Sequence, residues 1–252
     1  PVTQHTDRKL LVVCDFDDSA AECNAAQLLL AQFAGPEAES VQEAYRSGSL
    51  PFREYQEQMF NTVTAPVEQL SEYAADNVRL RSGFAEAVKA ARSKGGEFMI
   101  ASAGVDFYIE PVLAAYELSD VPVLAVTGAP VSPDGATMSF RYDYPSDREF
   151  CRDWAICKCQ PIEKAMSAGE HVIFIGDGLR SDSCAAEKVD TVFARSRLLE
   201  YCNINDIEAI GFEDFHSIAA HISNLDLGGP NPPGNSTPTA RTNNPTTTKA
   251  SE

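Results

Sequence analysis

Leu10-Leu11-Val12-Val13-Cys14-Asp15-Phe16-Asp17-Asp18-Ser19 is an apolar run that stops abruptly in acids. Five apolar residues without alternation suit a strand in a sheet covered on both faces. Strand alternation then points Asp15 and Asp17 the same way. Two carboxylates held together repel, so such a pair is expected to keep a proton or to bind a cation. Magnesium suits that position, because it is held by one or two carboxylates, waters and phosphate oxygens. The same pattern without a ligand is an acidic loop at a strand end.

Outward from this stretch, four further runs read as buried strands: Phe98–Ala101, Val121–Val126, Val172–Ile175 and Thr191–Ala194. Helical spacing separates several of them, at Phe84, Ala87, Val88 and Ala91, at Ile109, Val112, Leu113 and Tyr116, and at Ile162, Ala165 and Met166. Alternation of strand and helix predicts an α/β fold, a doubly wound parallel sheet. Residues 20–82 break the pattern. They read as amphipathic helices (Ala25–Phe33, Ser40–Ser47, Phe52–Asn61 and Val67–Asn77) punctuated by Pro36, Pro51 and Pro66. The expected organisation is a core of residues 1–19 and 83–226, a small helical cap of residues 20–82 inserted after the first strand, and a disordered tail, 227–252, rich in Pro, Gly, Asn, Ser and Thr. Residues 127–159 carry turn and β-forming residues and are expected to form a β-hairpin extension.

The chain of 252 residues carries a net charge of −17, which disfavours nucleic acid and anionic membranes as partners. It also disfavours a phosphorylated ligand unless a local cation reverses the field. No apolar run is long enough to span a membrane, and Pro1–Arg8 does not read as a secretion signal. Seven scattered cysteines suit reduced thiols in a cytoplasmic protein. Cys151, Cys157 and Cys159 cluster, but C-x5-C-x-C is not a common zinc spacing.

A second acidic cluster, Gly176-Asp177-Gly178-Leu179-Arg180-Ser181-Asp182, follows the run Val172–Ile175. The glycines allow a tight turn and close approach of a ligand. Asp177 is a candidate metal ligand and Asp182 a group supporting it. Ser102, with Ala103 and Gly104 behind it, ends another strand, where a hydroxyl and backbone N–H groups suit a phosphate oxygen. Lys158 and Lys164 are both candidates for the positive side chain that a phosphate site needs.

Taken in this order, the motifs resemble those of haloacid dehalogenase superfamily phosphatases: D-x-D-x-[TV] after the first strand, Ser or Thr after the second, then Lys, then G-D-x-x-x-D. Here they read Asp15-x-Asp17-x-Ser19, Ser102, Lys158 and Gly176-Asp177-x-x-x-x-Asp182. The helical insert is similar to the cap of the phosphoserine-phosphatase-like branch. Arg53–Phe60, Ala103–Tyr108 and Phe193–Cys202 resemble its methionine-salvage members. The resemblance implies a magnesium-dependent hydrolase of a small phosphate ester, such as a methylthio-ketose phosphate, acting as a monomer or homodimer. It implies Asp15 as nucleophile, Asp17 as acid and base, and Mg2+ on Asp15, Asp17 (through its backbone carbonyl) and Asp177. It further implies Ser102 and Lys158 on the phosphoryl oxygens, with Asp182 steadying Lys158. Lys158 is preferred to Lys164 because it lies 19 positions before Asp177. Asn24 and Gln58 align with a Glu and an Arg that grip the amino acid in phosphoserine phosphatases, which disfavours phosphoserine. Arg53, Ala103 and Gly104 complete the candidate substrate contacts, with Arg46 and Tyr55 behind them. A phosphotransferase would use the same motifs. A catalytically silent binding or regulatory module would be expected to have lost one of the four acids.

Overall fold

A computed structural model describes residues 8–130, 140–145 and 154–228. Seven strands form one sheet: β1 (Leu10–Cys14), β2 (Glu97–Val105), β3 (Val123–Pro130), β4 (Phe140–Asp143), β5 (His171–Gly176), β6 (Thr191–Ala194) and β7 (Ile210–Gly211). Their order is β4-β3-β2-β1-β5-β6-β7. All pairs are parallel except β3 with β4, which meet antiparallel from Thr127↔Asp143 to Pro130↔Phe140. This last pair is the hairpin expected from the sequence. The turn at 132–135 and the tail from residue 229 lie outside the described residues.

The continuous apolar runs follow from burial on both faces. Leu10, Val12 and Cys14 enter one apolar cluster, with Ala87 and Val88 of α5 (Phe84–Ser93), Val112 and Leu113 of α6 (Asp106–Ala115), and Ile218 and Ile222 of α10 (His216–Asn224). Leu11 and Val13 enter the other, with Ile162 of α7 (Cys159–Ser167), Ala185 of α8 (Ser183–Ala186), and Leu198 of α9 (Ser196–Ile204). The result is a three-layer doubly wound fold.

The helical insert consists of α1 (Ala25–Phe33), α2 (Ala38–Arg46), α3 (Phe52–Asn61) and α4 (Val67–Asn77). It leaves and returns through a paired stem. Ala21 bridges Leu80, Glu22 N–H donates to Arg79 O at 2.9 Å, and Arg81 N–H donates to Ala20 O at 2.8 Å. Leu29, Phe60, Leu70 and Ala74 of the insert belong to the same apolar cluster as one face of the sheet, so the insert is packed onto the core. Among the described residues no helix is long and apolar enough to cross a membrane.

The chain winds from β1 toward β2 and β3 on one side, then crosses to β5 and β6 on the other. The carboxyl ends of β1, β2 and β5 therefore open onto one crevice, the switch point where ligands bind in such sheets.

Candidate active site

Asp15 is the first residue beyond β1 and stays anchored to the sheet, its N–H donating to Ile175 O at 2.9 Å. The next residues do not continue the strand. Ala20 N–H donates to Asp15 O and Ala21 N–H to Phe16 O, closing a wide turn in which Asp18 takes the left-handed conformation, φ 58°. Both carboxylates line one cavity, as alternation suggested, but they take different partners. Asp15 Oδ1 meets the Lys158 ammonium. Asp17 turns toward the insert, where Oδ1 accepts from Ala25 N–H at 2.6 Å and Oδ2 from the Tyr108 hydroxyl at 3.0 Å.

Lys158 immediately precedes α7 and is 1% exposed. Its ammonium lies 2.7 Å from Asp15 Oδ1 and 2.6 Å from Asp182 Oδ1. Burial alone would lower the Lys158 pKa, but the two carboxylates outweigh it and hold the ammonium well above its usual range. Lys164, the alternative, is exposed on α7. The other oxygen of Asp182 accepts from Gly178 N–H at 3.0 Å and Asp177 N–H at 3.3 Å, which folds the loop after β5 around it. Gly176 is needed there, because a Cβ would come within 2.8 Å of Asp182 Oδ2.

Asp177 completes the cluster, its Oδ1 accepting from Ser19 Oγ at 3.0 Å. One carboxylate oxygen each of Asp15, Asp177 and Asp182 lie within 4.8 Å of one another. Burial, and then the neighbouring acids, push Asp15 well above the ordinary carboxylate range, with Lys158 opposing. Burial and Asp182 raise Asp177 to about 6. Three acids against one ammonium leave negative charge in excess, and this oxygen-only donor set fits a hard divalent cation.

Asp17 is also raised to about 6, by burial, against hydrogen bonds from Ala25 N–H and Tyr108 that favour its charged form. Ser102 lies at the same mouth, 1% exposed, its Oγ accepting from Gly104 N–H at 3.0 Å. A side chain on Gly104 would run into the Tyr108 hydroxyl and come within 3.0 Å of Asp17 Oδ2.

These groups floor a cavity of about 210 Å3. Its wall comes from the insert: Ala26, Gln27 and Leu30 of α1, and Phe52, Tyr55, Gln56 and Phe60 of α3. Ala103 and Gly104 line it too, as do Tyr108, Arg197 and Asn24. The Asn24 side chain caps α1 by accepting from Gln27 N–H at 2.9 Å. Two expected contacts fall elsewhere. Arg53 stacks on Tyr144, 3.3 Å from the ring centroid, because α3 turns it toward the segment after β4. Gln58 is exposed, on the face of α3 away from the cavity. The glutamine that faces in is Gln56, two positions earlier and 6% exposed. Its Nε2 donates to Ala103 O at 3.1 Å, and its Oε1 is buried without a partner. Arg46 is exposed. Cys151 lies outside the described residues.

Tyr108 and Gln56 both escaped the sequence reading, and of the two Gln56 carried a signal. Gln56 lies on one helical stripe with Phe52 and Phe60, and a polar residue on an apolar stripe marks an inward-facing hydrogen-bonding group.

The profile of the family described as haloacid dehalogenase-like hydrolase matches residues 11–187. A 2-hydroxy-3-keto-5-methylthiopentenyl-1-phosphate phosphatase of Exiguobacterium sp. is 27% identical over 217 residues, covering 86% of this chain and 98% of its own. One of Brevibacillus brevis is 29% identical over 212 residues, covering 84% and 94%. Among solved structures, a substrate-bound phosphoserine phosphatase complex superposes with a TM-score of 0.62 at 19% identity, over 86% of this chain and 99% of that one. A phospho-aspartyl intermediate analogue of phosphoserine phosphatase gives 0.60 at 18%, over 85% and 99%. At such identities the likeness is one of fold.

Proposed function

The chain belongs to the haloacid dehalogenase-like hydrolases, and on that premise we propose that it is a magnesium-dependent phosphatase working through an aspartyl phosphate on Asp15. The observation that carries this reading is the Lys158 ammonium, held between Asp15 and Asp182 beside Asp177. It gives the nucleophile a fixed orientation and a cation where the phosphoryl oxygens must sit.

Asp15 attacks phosphorus in line, forming the Asp15–phosphorus bond as the bond to the leaving oxygen breaks. Asp17, with a pKa raised to about 6, keeps its proton to a higher pH than an ordinary carboxyl and gives it to that oxygen. It then takes a proton from the water that attacks the aspartyl phosphate, which frees Asp15 and releases phosphate. Lys158 and the Ser102 hydroxyl hold phosphoryl oxygens. Asp182 positions Lys158. Magnesium, held by Asp15, Asp177 and the backbone carbonyl of Asp17, would neutralise charge on the phosphoryl group and on the nucleophile.

The substrate we propose is a small phosphorylated ketose, uncharged apart from its phosphate and carrying an apolar arm, of the methylthio-ketose phosphate class. Its support is the wall of the cavity, where Leu30, Phe52 and Phe60 offer apolar contact and Gln56 Oε1 offers one acceptor to a hydroxyl. Phosphoserine would bring an ammonium and a carboxylate. The residues that α1 and α3 place on the wall are uncharged, and the basic side chain in the lining, Arg197, comes from α9. The cap boundaries at residues 20 and 82, a cytoplasmic location, and monomeric or homodimeric assembly remain parts of the proposal.

Phosphate release from p-nitrophenyl phosphate, with and without Mg2+, tests the reaction. A panel of methylthio-ketose, sugar and amino-acid phosphates tests the substrate. Release that persists in the presence of EDTA, or the highest kcat/KM on phosphoserine, would overturn the corresponding half.

A further inference from the structure

Outside the catalytic groups, the described residues hold a second reactive pair. Cys159, at the start of α7, and Cys184, in α8, bring their sulfurs to 2.9 Å. Both are thiols, Cys159 buried and Cys184 half-exposed. A disulfide bond of about 2.05 Å is shorter than that separation by just under 1 Å, so closing it draws the segments that carry the two sulfurs toward each other. The exposure difference assigns roles. A solute reaches Cys184, and Cys159 waits behind it.

Position gives the pair its significance. Cys159 directly follows Lys158, and Cys184 lies two residues beyond Asp182. The thiol pair and the 2.6 Å Lys158–Asp182 ion pair therefore span the same two segments, the first turns of α7 and α8. Lys158 is already in close contact with Asp15 and Asp182, so the ion pair has no slack to absorb a shift of either segment.

We propose that Cys184 and Cys159 form a thiol–disulfide exchange site for a low-molecular-weight disulfide of the glutathione class, and that its oxidation slows turnover by displacing Lys158. Cys184 sulfur attacks one sulfur of oxidised glutathione. A mixed disulfide forms, and the glutathione S–S bond breaks to release one reduced glutathione. Cys159 sulfur then attacks the Cys184 sulfur and expels the second glutathione. The protein loses two electrons and two protons, and the disulfide reagent gains both.

The test equilibrates the full chain against a series of reduced-to-oxidised glutathione ratios. Intact mass, peptide mapping and hydrolysis of p-nitrophenyl phosphate with Mg2+ are then read. The expected product is one disulfide joining residues 159 and 184. It should lower kcat by about tenfold or more, since displacements on the order of 1 Å near reacting groups cost up to about 10²-fold, and dithiothreitol should reverse it. Cys184→Ser should keep wild-type activity and lose the response. Cys159→Ser should stop at a single glutathione adduct on Cys184. A disulfide elsewhere, none at any ratio, or an oxidised form with unchanged kcat would overturn the proposal. The mapping is independent of the catalytic reading, because it needs no substrate.

Discussion

At the floor of the cavity, two carboxylates hold one buried ammonium at hydrogen-bonding distance, with a third carboxylate beside them. Along its wall, aromatic rings and a leucine surround one amide oxygen that has nothing to bond. The floor rests on the ends of β1, β2 and β5, where each group has a partner before any ligand arrives. The wall rests on α1 and α3, where the buried Gln56 Oε1 waits for a partner. Under the proposed function, a site divided this way would fix its chemistry with the sheet and its choice of substrate with the insert. Asp17 belongs to both, hanging from the turn after β1 while bonded to the first residue of α1.

The division is most exposed to refutation at the floor. Asp15→Asn should lower kcat by on the order of 10⁴-fold or more, with every substrate alike. A loss confined to one substrate would erase the distinction between floor and wall. Asp17→Asn should cost roughly 10²–10⁴-fold. It should also remove the alkaline fall of kcat/KM expected of the wild type as pH rises through about 6. A variant that retains this limb would take the proton-donor role away from Asp17. Gln56→Leu should cost about 5- to 150-fold in kcat/KM on a hydroxyl-bearing ketose phosphate, the range for a hydrogen bond lost at a buried group. Hydrolysis of p-nitrophenyl phosphate, which offers no hydroxyl, should change little. An equal loss on both substrates would move Gln56 from wall to floor.

The smallest effect is thermal. Asp17 and Asp177 each have folded-state values near 6, above the unfolded carboxylate value of roughly 3.9. Between those limits the folded chain binds more protons, so this contribution is full at low pH and is lost as pH rises through about 6. Mg2+ on ionised carboxylates should offset the loss. Its addition should raise Tm by about 3–5 °C at pH 7.5. The increment should shrink toward zero near pH 5, as scanning calorimetry would show.

Much of the floor was legible in the sequence because it sits where strands end. An unbroken apolar run such as Leu10–Cys14 has few structural solutions, and acids directly after it must lie at a sheet edge. The helices of the insert were legible by the same logic, Phe52–Asn61 to the residue. Which face of α3 looks inward was not. Arg53 drew attention by its charge, yet that charge is satisfied by the ring of Tyr144, a contact set by a distant segment. Gln58 was placed by alignment with a branch whose cap grips a charged substrate, and the helix turns it outward. Nothing in local pattern could foretell that Tyr108 crosses from α6 to Asp17. The bend after Asp15, which redirects Asp17, likewise depends on Asp18 adopting positive φ, and strand periodicity carries no trace of that.

The stem of the insert also constrains how the molecule moves. Crossed amide bonds between residues 20–22 and 79–81 tie both connections together, so any movement of the four helices would pivot on one hinge line, like a door. Arg81 rides on that line, with its guanidinium gripping the carbonyls of Asp18 at 3.1 Å and Ser19 at 2.9 Å. Any such swing would tug the loop bearing Asp17 while Asp15 stays bolted to the strands. Under the proposed mechanism, that would tie delivery of the proton to closure of the insert over the nucleophile.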